Sequence, residues 1–526
     1  MTVASTGEGR RTDRRDALLA GLVAVALLGL FVAVQWARLG SYDGQVAVAT
    51  ARAMTEGRLH LLPGEDPTRH HSPYSHYGIG MPLVLLPLYL LQRAMAVQPH
   101  LLESLASPLL LAACGAVLYL CGRELGWSRR LSLAGALAFG ALTQTLQISQ
   151  EAFSEPGVAL GLTLVVLGLL RWRSGRASGP WLVGSGLGVG LLFRTDSVLL
   201  LGAGLLLLPA FVPWRRLLSE RRAWLGLVLP LLPVLAWTAW YSLRRDGSLV
   251  PAVYGGTFTT PLPTGLYGLL LSPGKSLFPY NPFLLLAIPG AVALWRRDRA
   301  ATALLVGLML ARALFYARWS AWEGGVSWGP RFLVPALGPP ALLAVYGVSR
   351  IPHLRRWLRM PAAAAVAALV VLGVVVNVAS VWVGYAASER WVTAFSDREA
   401  ARRHAYVHTF SGSAIAFNLR HLDLNVREFP LYHFRGGPDP VGILGLVVAV
   451  LAALTGWFLA RPAPTAPTPG RSPPDPGSQD PTSPEPTRAG AEPAQAGAEP
   501  TWADAEPTQG RAEPTPTGAE SPGGGA

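Results

Sequence analysis

The stretch GSYDGQVAVATARAMTEGRLHLLPGEDPTRHHSPYSHYGIGM, residues 40–81, decides how this chain is read. It lies between two apolar runs and is far longer than a connector, since unstructured loops beyond about 12–15 residues are uncommon unless they carry function or are disordered. Its content is not that of disorder. From Gln45 to Gly57 it has the spacing of a short amphipathic helix, with Val46, Ala49, Ala53 and Met54 on one side and Arg52 and Glu56 on the other. Gly57 is placed to end that helix. Asp43 stands just before it, past the end of the first apolar run, where a membrane surface would be. A carboxylate followed by an interfacial helix points to a reaction site built against a bilayer.

The remainder supports a membrane scaffold. Of 526 residues 51% are hydrophobic and only 14% charged, with a mean hydropathy of +0.34; a soluble protein carries nearer ~25% charged residues. Repeated apolar runs approach the ~20 residues that cross a bilayer. The net charge of +13 is spread over short loops as arginine clusters, a positive-inside pattern rather than a nucleic-acid-binding patch. Cys114 and Cys121, seven residues apart in one predicted helix, lie about 10 Å apart, beyond disulfide reach, and read as packing residues.

The topology follows from the arginines. Residues 1–16, with Arg10, Arg11, Arg14 and Arg15, form a cytoplasmic segment, and the first span covers roughly 17–36. If Ile79–Ala96 also crossed, most later arginine clusters would fall outside; if it stays in the interface, all fall inside. Gly78, Gly80, Pro82 and Pro87 interrupt it, so it reads as juxtamembrane. Further spans are expected near 105–121, 131–148, 156–171, 180–193, 197–213, 224–241, 281–295, 300–316, 331–348, 361–384 and 440–459. The chain is thus an all-α polytopic membrane protein of about twelve spans, residues 17–460, with both termini cytoplasmic. Its first outward loop is 40–81 and its last 385–438. Residues 461–526, rich in Pro, Ala, Gly, Thr and Glu with repeated AEPT, read as a disordered tail.

Chemistry gathers in the outward loops. Asp43 is a candidate general base, or else a cap for the next helix. Glu155, before Pro156, is a second acid or simply a favourable charge at a helix start; Glu151 reads as its solvated neighbour. Arg194, between two apolar runs, is a functional candidate, or half of an Arg194–Asp196 pair at a hairpin tip. Lys275, the only lysine, sits in Ser-Pro-Gly-Lys-Ser. That segment lacks the first glycine and the preceding strand of a nucleotide phosphate loop, but a cation there can meet a lipid-linked phosphate. In Tyr316–Pro335, Trp322 and Trp328 could stack on a sugar or belong to an aromatic belt. Arg331 heads the next span. Eight of the ten histidines fall in the first and last outward loops; a His404/His408 metal pair has no carboxylate at fixed spacing, and no metal or other cofactor is expected.

Taken in order, these motifs resemble the membrane-embedded GT-C glycosyltransferases, in particular family 39 and its relatives, the protein O-mannosyltransferases and lipid A aminoarabinose transferases. The matching residues are Tyr42-Asp43-Gly44, Ala51–Gly57, Ser154-Glu155-Pro156, the glycine-rich run Gly184–Arg194, and Arg331–Pro335. The resemblance covers roughly residues 17–350. Gly44 stands where the family carries a second acid, and His76-Tyr77-Gly78 replaces a Glu-Lys-Pro-Pro-like segment. The resemblance implies inverting transfer of a sugar from a polyprenyl-phosphate donor to a lipid, glycan or protein acceptor, at the outer face of a bacterial inner membrane. Asp43 and Glu155 would be catalytic, Arg194, Lys275 and Arg331 would hold the donor phosphate, and His76, Tyr77, Trp322 and Trp328 would contact substrate. A transporter, or a non-catalytic envelope-assembly protein on the same scaffold, is the alternative.

Overall fold

The structure, a computed structural model, describes residues 5–36, 39–65, 74–75, 77–97, 100–213, 215, 219–249, 257–325, 327–383, 405–422 and 440–461. The tail, most of the last outward loop, and His70, His71, His76 and His404 lie outside the described residues. The described residues are helical almost throughout. Helix α1 spans Ser5–Ala33, α2 Tyr42–Thr55, α3 Gly80–Ala94, α4 Ala106–Glu124, α5 Arg129–Ala141, α6 Thr145–Ile148, α7 Glu155–Arg173, α8 Ser178–Phe193 and α9 Val198–Phe211. The order continues with α10 Arg221–Val228, α11 Leu231–Asp246, α12 Leu262–Leu270, α13 Leu277–Tyr280, α14 Ala287–Trp295, α15 Arg299–Arg318 and α16 Gly338–Ser349. It ends with α17 Arg356–Val383, α18 Ala405–His408, α19 Ala414–Arg420 and α20 Pro440–Leu459.

Among the described residues, seven helical stretches are long and apolar enough to cross a membrane: 13–33, 103–124, 155–173, 221–246, 299–318, 356–383 and 440–459. The other expected spans are helical but shorter or broken. The run at 131–148 stops at Ala141, where the hydroxyls of Thr143 and Thr145 both donate to the Phe139 carbonyl at 2.6 Å. The run at 331–348 begins as a 3-10 turn over Arg331–Ala336, with Pro335 inside it, before α16 starts. The interfacial stretch at 79–96 forms the fifteen-residue α3, with Pro87 within it. That is about 22 Å of helix, short of the ~30 Å hydrocarbon core.

Glycines set how closely the central helices approach. On the facing sides of α7 and α8, a Cβ at Gly161 would stand 2.6 Å from the Gly186 carbonyl oxygen, and one at Gly186 would stand 2.6 Å from that of Gly161. Small residues let membrane helices come this near, where dispersion and packing replace the hydrophobic drive that lipid removes. At one end of the bundle Asp16 fastens α1 to its neighbours, accepting from Arg129 Nε at 2.7 Å, Arg123 Nε at 3.2 Å and Tyr119 Oη at 3.0 Å. Cys114 and Cys121 are buried, free thiols, as packing residues would be.

Replacing Gly186 by leucine should force α7 and α8 apart and lower stability by about 1–3 kcal/mol, the usual cost of overpacking. Gly21→Ala, where a Cβ meets nothing within 4 Å, should leave stability unchanged or raise it. Thermal unfolding of the two purified variants in detergent compares them.

Candidate active site

The site begins with an irregular segment. Residues 143–155 are all buried although only Thr145–Ile148 are helical in their interior. Backbone away from water needs partners, and side chains supply them. Gln35 donates to the Ser149 carbonyl at 2.6 Å, Gln150 to that of Val34 at 2.6 Å, and Asn281 accepts from the Gln144 N–H at 2.7 Å. Glu151 is not a solvated neighbour. It is 4% exposed, and its carboxylate accepts from the Gly40 and Ser41 N–H groups, both at 3.0 Å. This ties the start of the first loop to the buried segment 143–155. Ser41 then caps α2, its hydroxyl accepting from the Gly44 N–H at 3.2 Å. The amphipathic helix expected at 45–57 is therefore present and buries Val46 and Ala53, and Gly57 follows it with φ +70°.

Asp43 sits in the first turn of α2. Tyr77 donates its hydroxyl to Asp43 Oδ1 at 2.9 Å, and Arg331 Nη1 donates to Oδ2 at 3.0 Å. Arg331 Nε lies 3.3 Å from Glu155 Oε1, and the same oxygen accepts from Arg194 Nη1 at 3.1 Å. Arg194 continues the chain, with Nε donating to Asp196 Oδ1 at 3.0 Å and Nη2 to Tyr316 Oη at 3.3 Å. Tyr316 in turn donates to Asp196 Oδ2. The order of charges is Asp43, Arg331, Glu155, Arg194, Asp196 and then Arg312, whose Nη2 lies 3.6 Å from Asp196. Each carboxylate is flanked by guanidinium, so six buried or half-buried charges sum to zero. Phe193, just before Arg194, wedges this cluster against the first loop. A Cβ at Gly78 would strike the Phe193 carbonyl at 2.4 Å, so only glycine lets the loop lie there.

The sequence-based candidates divide accordingly. Asp43, Glu155, Arg194, Arg331 and Tyr77 converge. Arg194 is 4% exposed with all three nitrogens on protein acceptors, so it braces Glu155 and Asp196 rather than facing a phosphate. The Arg194–Asp196 pair weighed from the sequence is present. Tyr77 holds Asp43 in place. Lys275 is 3% exposed and donates to the Gly325 carbonyl. Burial pushes its amine down to about 7, with the Arg331 charge adding to that and Glu323 opposing it. Trp322 and Trp328 are 7% and 3% exposed. Trp322 covers Gly268 and lies beside His408, while Trp328 packs edge-on against Tyr280; these rings are core, not open platforms. His76 lies outside the described residues.

Sequence reading missed Arg312. It is fully buried within α15, donates from Nε to the Phe332 carbonyl at 3.0 Å, and its two terminal nitrogens find no hydrogen-bond acceptor among the described residues. The signal was present: an arginine inside the apolar run 300–316 is by default a functional candidate. Among the described residues, no three His, Cys, Asp or Glu side chains gather as they would around a metal ion.

No protein-family model matches this chain, and no curated protein matches it. Among solved structures it is similar to ArnT from Cupriavidus metallidurans, both with undecaprenyl phosphate bound and in the apo state. Each shows 16% identity and a TM-score of 0.46, covering 83% of this chain and 77% of that one. It is also similar to the oligosaccharyltransferase AglB of Archaeoglobus fulgidus, in complex with an inhibitory peptide and a dolichol-phosphate. There the identity is 12% and the TM-score 0.40, over 80% of this chain and 60% of that one. Likenesses of this size say nothing about residue roles or substrates.

Removing a buried charge from between its partners should cost much more than removing an exposed one. Glu155→Ala should lower stability by about 3–5 kcal/mol, since Arg194 and Arg331 lose a shared acceptor. Glu56→Ala, which breaks an exposed pair with Arg58, should cost under ~1 kcal/mol. Denaturation midpoints of both variants test the difference.

Proposed function

We propose that this protein is a polyprenyl-phosphate-dependent glycosyltransferase acting at the extracytoplasmic face of a bacterial inner membrane, with both termini cytoplasmic. The observation that supports it best is the placement of Asp43. This carboxylate is 12% exposed by its side chain, stands on an ordered helix start, and shares Arg331 with a second, buried acid. In the proposed reaction the acceptor hydroxyl attacks the sugar C1 as the bond from C1 to the phosphate oxygen breaks. Asp43 takes the hydroxyl proton, and polyprenyl phosphate leaves with the bonding pair, inverting C1. The negative charge that develops on the phosphate needs fixed cations. Arg331 hydrogen-bonds Asp43, and Lys275 is close enough to Arg331 for the two charges to repel. Glu155 aims Arg331, and Arg194, Asp196 and Arg312 hold Glu155. An incoming phosphate would compete for the Arg331 guanidinium and so free Asp43 to accept a proton. The acceptor is a hydroxyl of a lipid, glycan or protein.

Asp43→Asn keeps the size of the side chain and one acceptor oxygen, for either Arg331 or Tyr77, but cannot take a proton. It should fold and insert normally and lower turnover by about 10²–10⁴, followed as release of polyprenyl phosphate from a panel of polyprenyl-phosphate sugars. A wild-type rate in the Asn variant would leave Asp43 a partner of Tyr77 and Arg331 and nothing more. A second expectation concerns pH. Lys275 is cationic below about 7 and neutral above, and the donor, a phosphodiester, keeps one negative charge throughout. Donor affinity should therefore fall as pH is raised through neutrality, and Lys275→Arg should flatten that dependence. Titrations of donor binding between pH 6 and 9 measure it.

A further inference from the structure

Arg331 reaches Asp43 from the first residue of a 3-10 turn, Arg331–Ala336, so whatever fixes the start of that turn also directs the guanidinium. The chain enters the turn through Gly329, at φ +59°, and Pro330. The Pro330 carbonyl accepts from the Leu333 N–H at 2.9 Å, the turn's own bond, and also from Gln144 Nε2 at 3.3 Å. Gln144 stands 186 positions away in the chain and has no exposed surface. Its amide is fixed from two sides. Asn281, equally buried, donates from Nδ2 to Gln144 Oε1 at 3.4 Å and accepts the Gln144 backbone N–H at 2.7 Å. A Cβ at Gly329 would stand 2.3 Å from the same Oε1, so the loop closes directly over the amide, and both the space and the positive φ call for glycine.

The Gln144 amide is not needed to keep a buried neighbour paired. Without it the Pro330 carbonyl keeps the Leu333 N–H, Asn281 Nδ2 keeps the Leu277 carbonyl at 2.9 Å, and the backbone bond from Gln144 to Asn281 is untouched. The large penalty in losing a hydrogen bond comes from stranding a buried partner, and here none is stranded. What the amide supplies is direction. The segment that carries Gln144 also holds the far end of Arg331: the guanidinium lies 4.8 Å from the centroid of the Phe153 ring, and Nε lies 3.3 Å from Glu155 Oε1. It holds the helix of Asp43 as well, through the Glu151 carboxylate on the Gly40 and Ser41 N–H groups. Residues 143–155 therefore grip Arg331 at its backbone and at its tip, and Asp43 at the start of its helix. One segment sets the two groups against each other.

We propose that Gln144 is a positioning residue for Arg331, its amide holding the Pro330 carbonyl so that the guanidinium is aimed at Asp43 and at the phosphate that leaves. The assignment rests on the glycosyltransferase reading given above. Gln144 acts only through Arg331, and Asn281 keeps the Gln144 amide turned toward its target. Misplacing a reacting group by about 1 Å can cost on the order of 10²-fold in rate, so a contact that adds little to stability can still matter to turnover.

Gln144→Met tests it, because methionine keeps an unbranched side chain of similar length and deletes both amide atoms. The full-length protein in nanodiscs is given the polyprenyl-phosphate sugar that the wild type turns over. Values of kcat and KM are measured beside the melting temperature, with kcat counted per folded molecule. The variant should fold with a nearly unchanged melting temperature, and its kcat should fall about tenfold or more, as expected when an interaction that stabilises the transition state is misdirected. A wild-type kcat per folded molecule, with or without a change in KM, overturns the assignment. So does a loss of activity that only follows a loss of folded protein, or a variant that does not fold, since either makes Gln144 a structural residue. Each of those outcomes leaves the glycosyltransferase reading standing. Failure of the wild-type protein to release polyprenyl phosphate from any donor removes both.

Discussion

The Glu155 Oε1 atom, set between Arg194 at 3.1 Å and Arg331 at 3.3 Å, is the point on which the site depends. A charged carboxylate with no exposure to water is costly, and so is a lone guanidinium beside apolar helices, unless each is paired. Alternation avoids this. Every charge from Asp43 to Arg312 has an opposite neighbour, so the desolvation that each suffers is offset locally. The same arrangement spends much of the positive charge on protein acceptors. Arg194 shows this directly: it is buried, fully engaged, and therefore a brace. Its work is to hold Glu155 in the position from which Arg331 reaches Asp43.

A chain of contacts like this needs stiff supports, and here they come from places where the helices are interrupted. The segment 142–154 does not continue α5, and threonine hydroxyls take the Phe139 carbonyl near the end of that helix. It survives at depth because Gln35, Gln150 and Asn281 satisfy its backbone or tie it to its neighbours. In return it brings Glu151 to the start of the first loop and Glu155 to the start of α7. Phe193 and Gly78 fix the other side of that loop. The charge cluster is thus held mostly by turns and short helices, and the long helices position them.

Much of this was legible in the residues. Asp43 with its short helix, Glu155 before a proline, and Arg194 and Arg331 at the ends of apolar runs all stood out, because each breaks a local rule of hydrophobic patterning. The apolar runs themselves marked nearly every helix of the membrane domain. Where they misled, the reason is local: hydropathy averages over a window and does not register threonines that end a helix at Ala141, or prolines that turn the first residues after Arg331 into a 3-10 turn.

Pairing was not legible in that way. Side-chain partners come from elements far apart in the chain, such as Arg331 and Asp43, separated by 288 positions, and nothing in either neighbourhood names the other. So the residues alone determined a polytopic helical membrane protein with its chemistry collected in loops. Tertiary structure decided which of those groups are brought together and which are buried away from one another. It turned Glu151 from a solvated residue into an anchor, Arg194 into a brace, and Trp322 and Trp328 into core. It also added Arg312, which hydropathy had absorbed into a span. Burial is the physical reason: a side chain's exposure and its nearest opposite charge are set by how the helices pack, and those two quantities decide what a charged or aromatic residue can do.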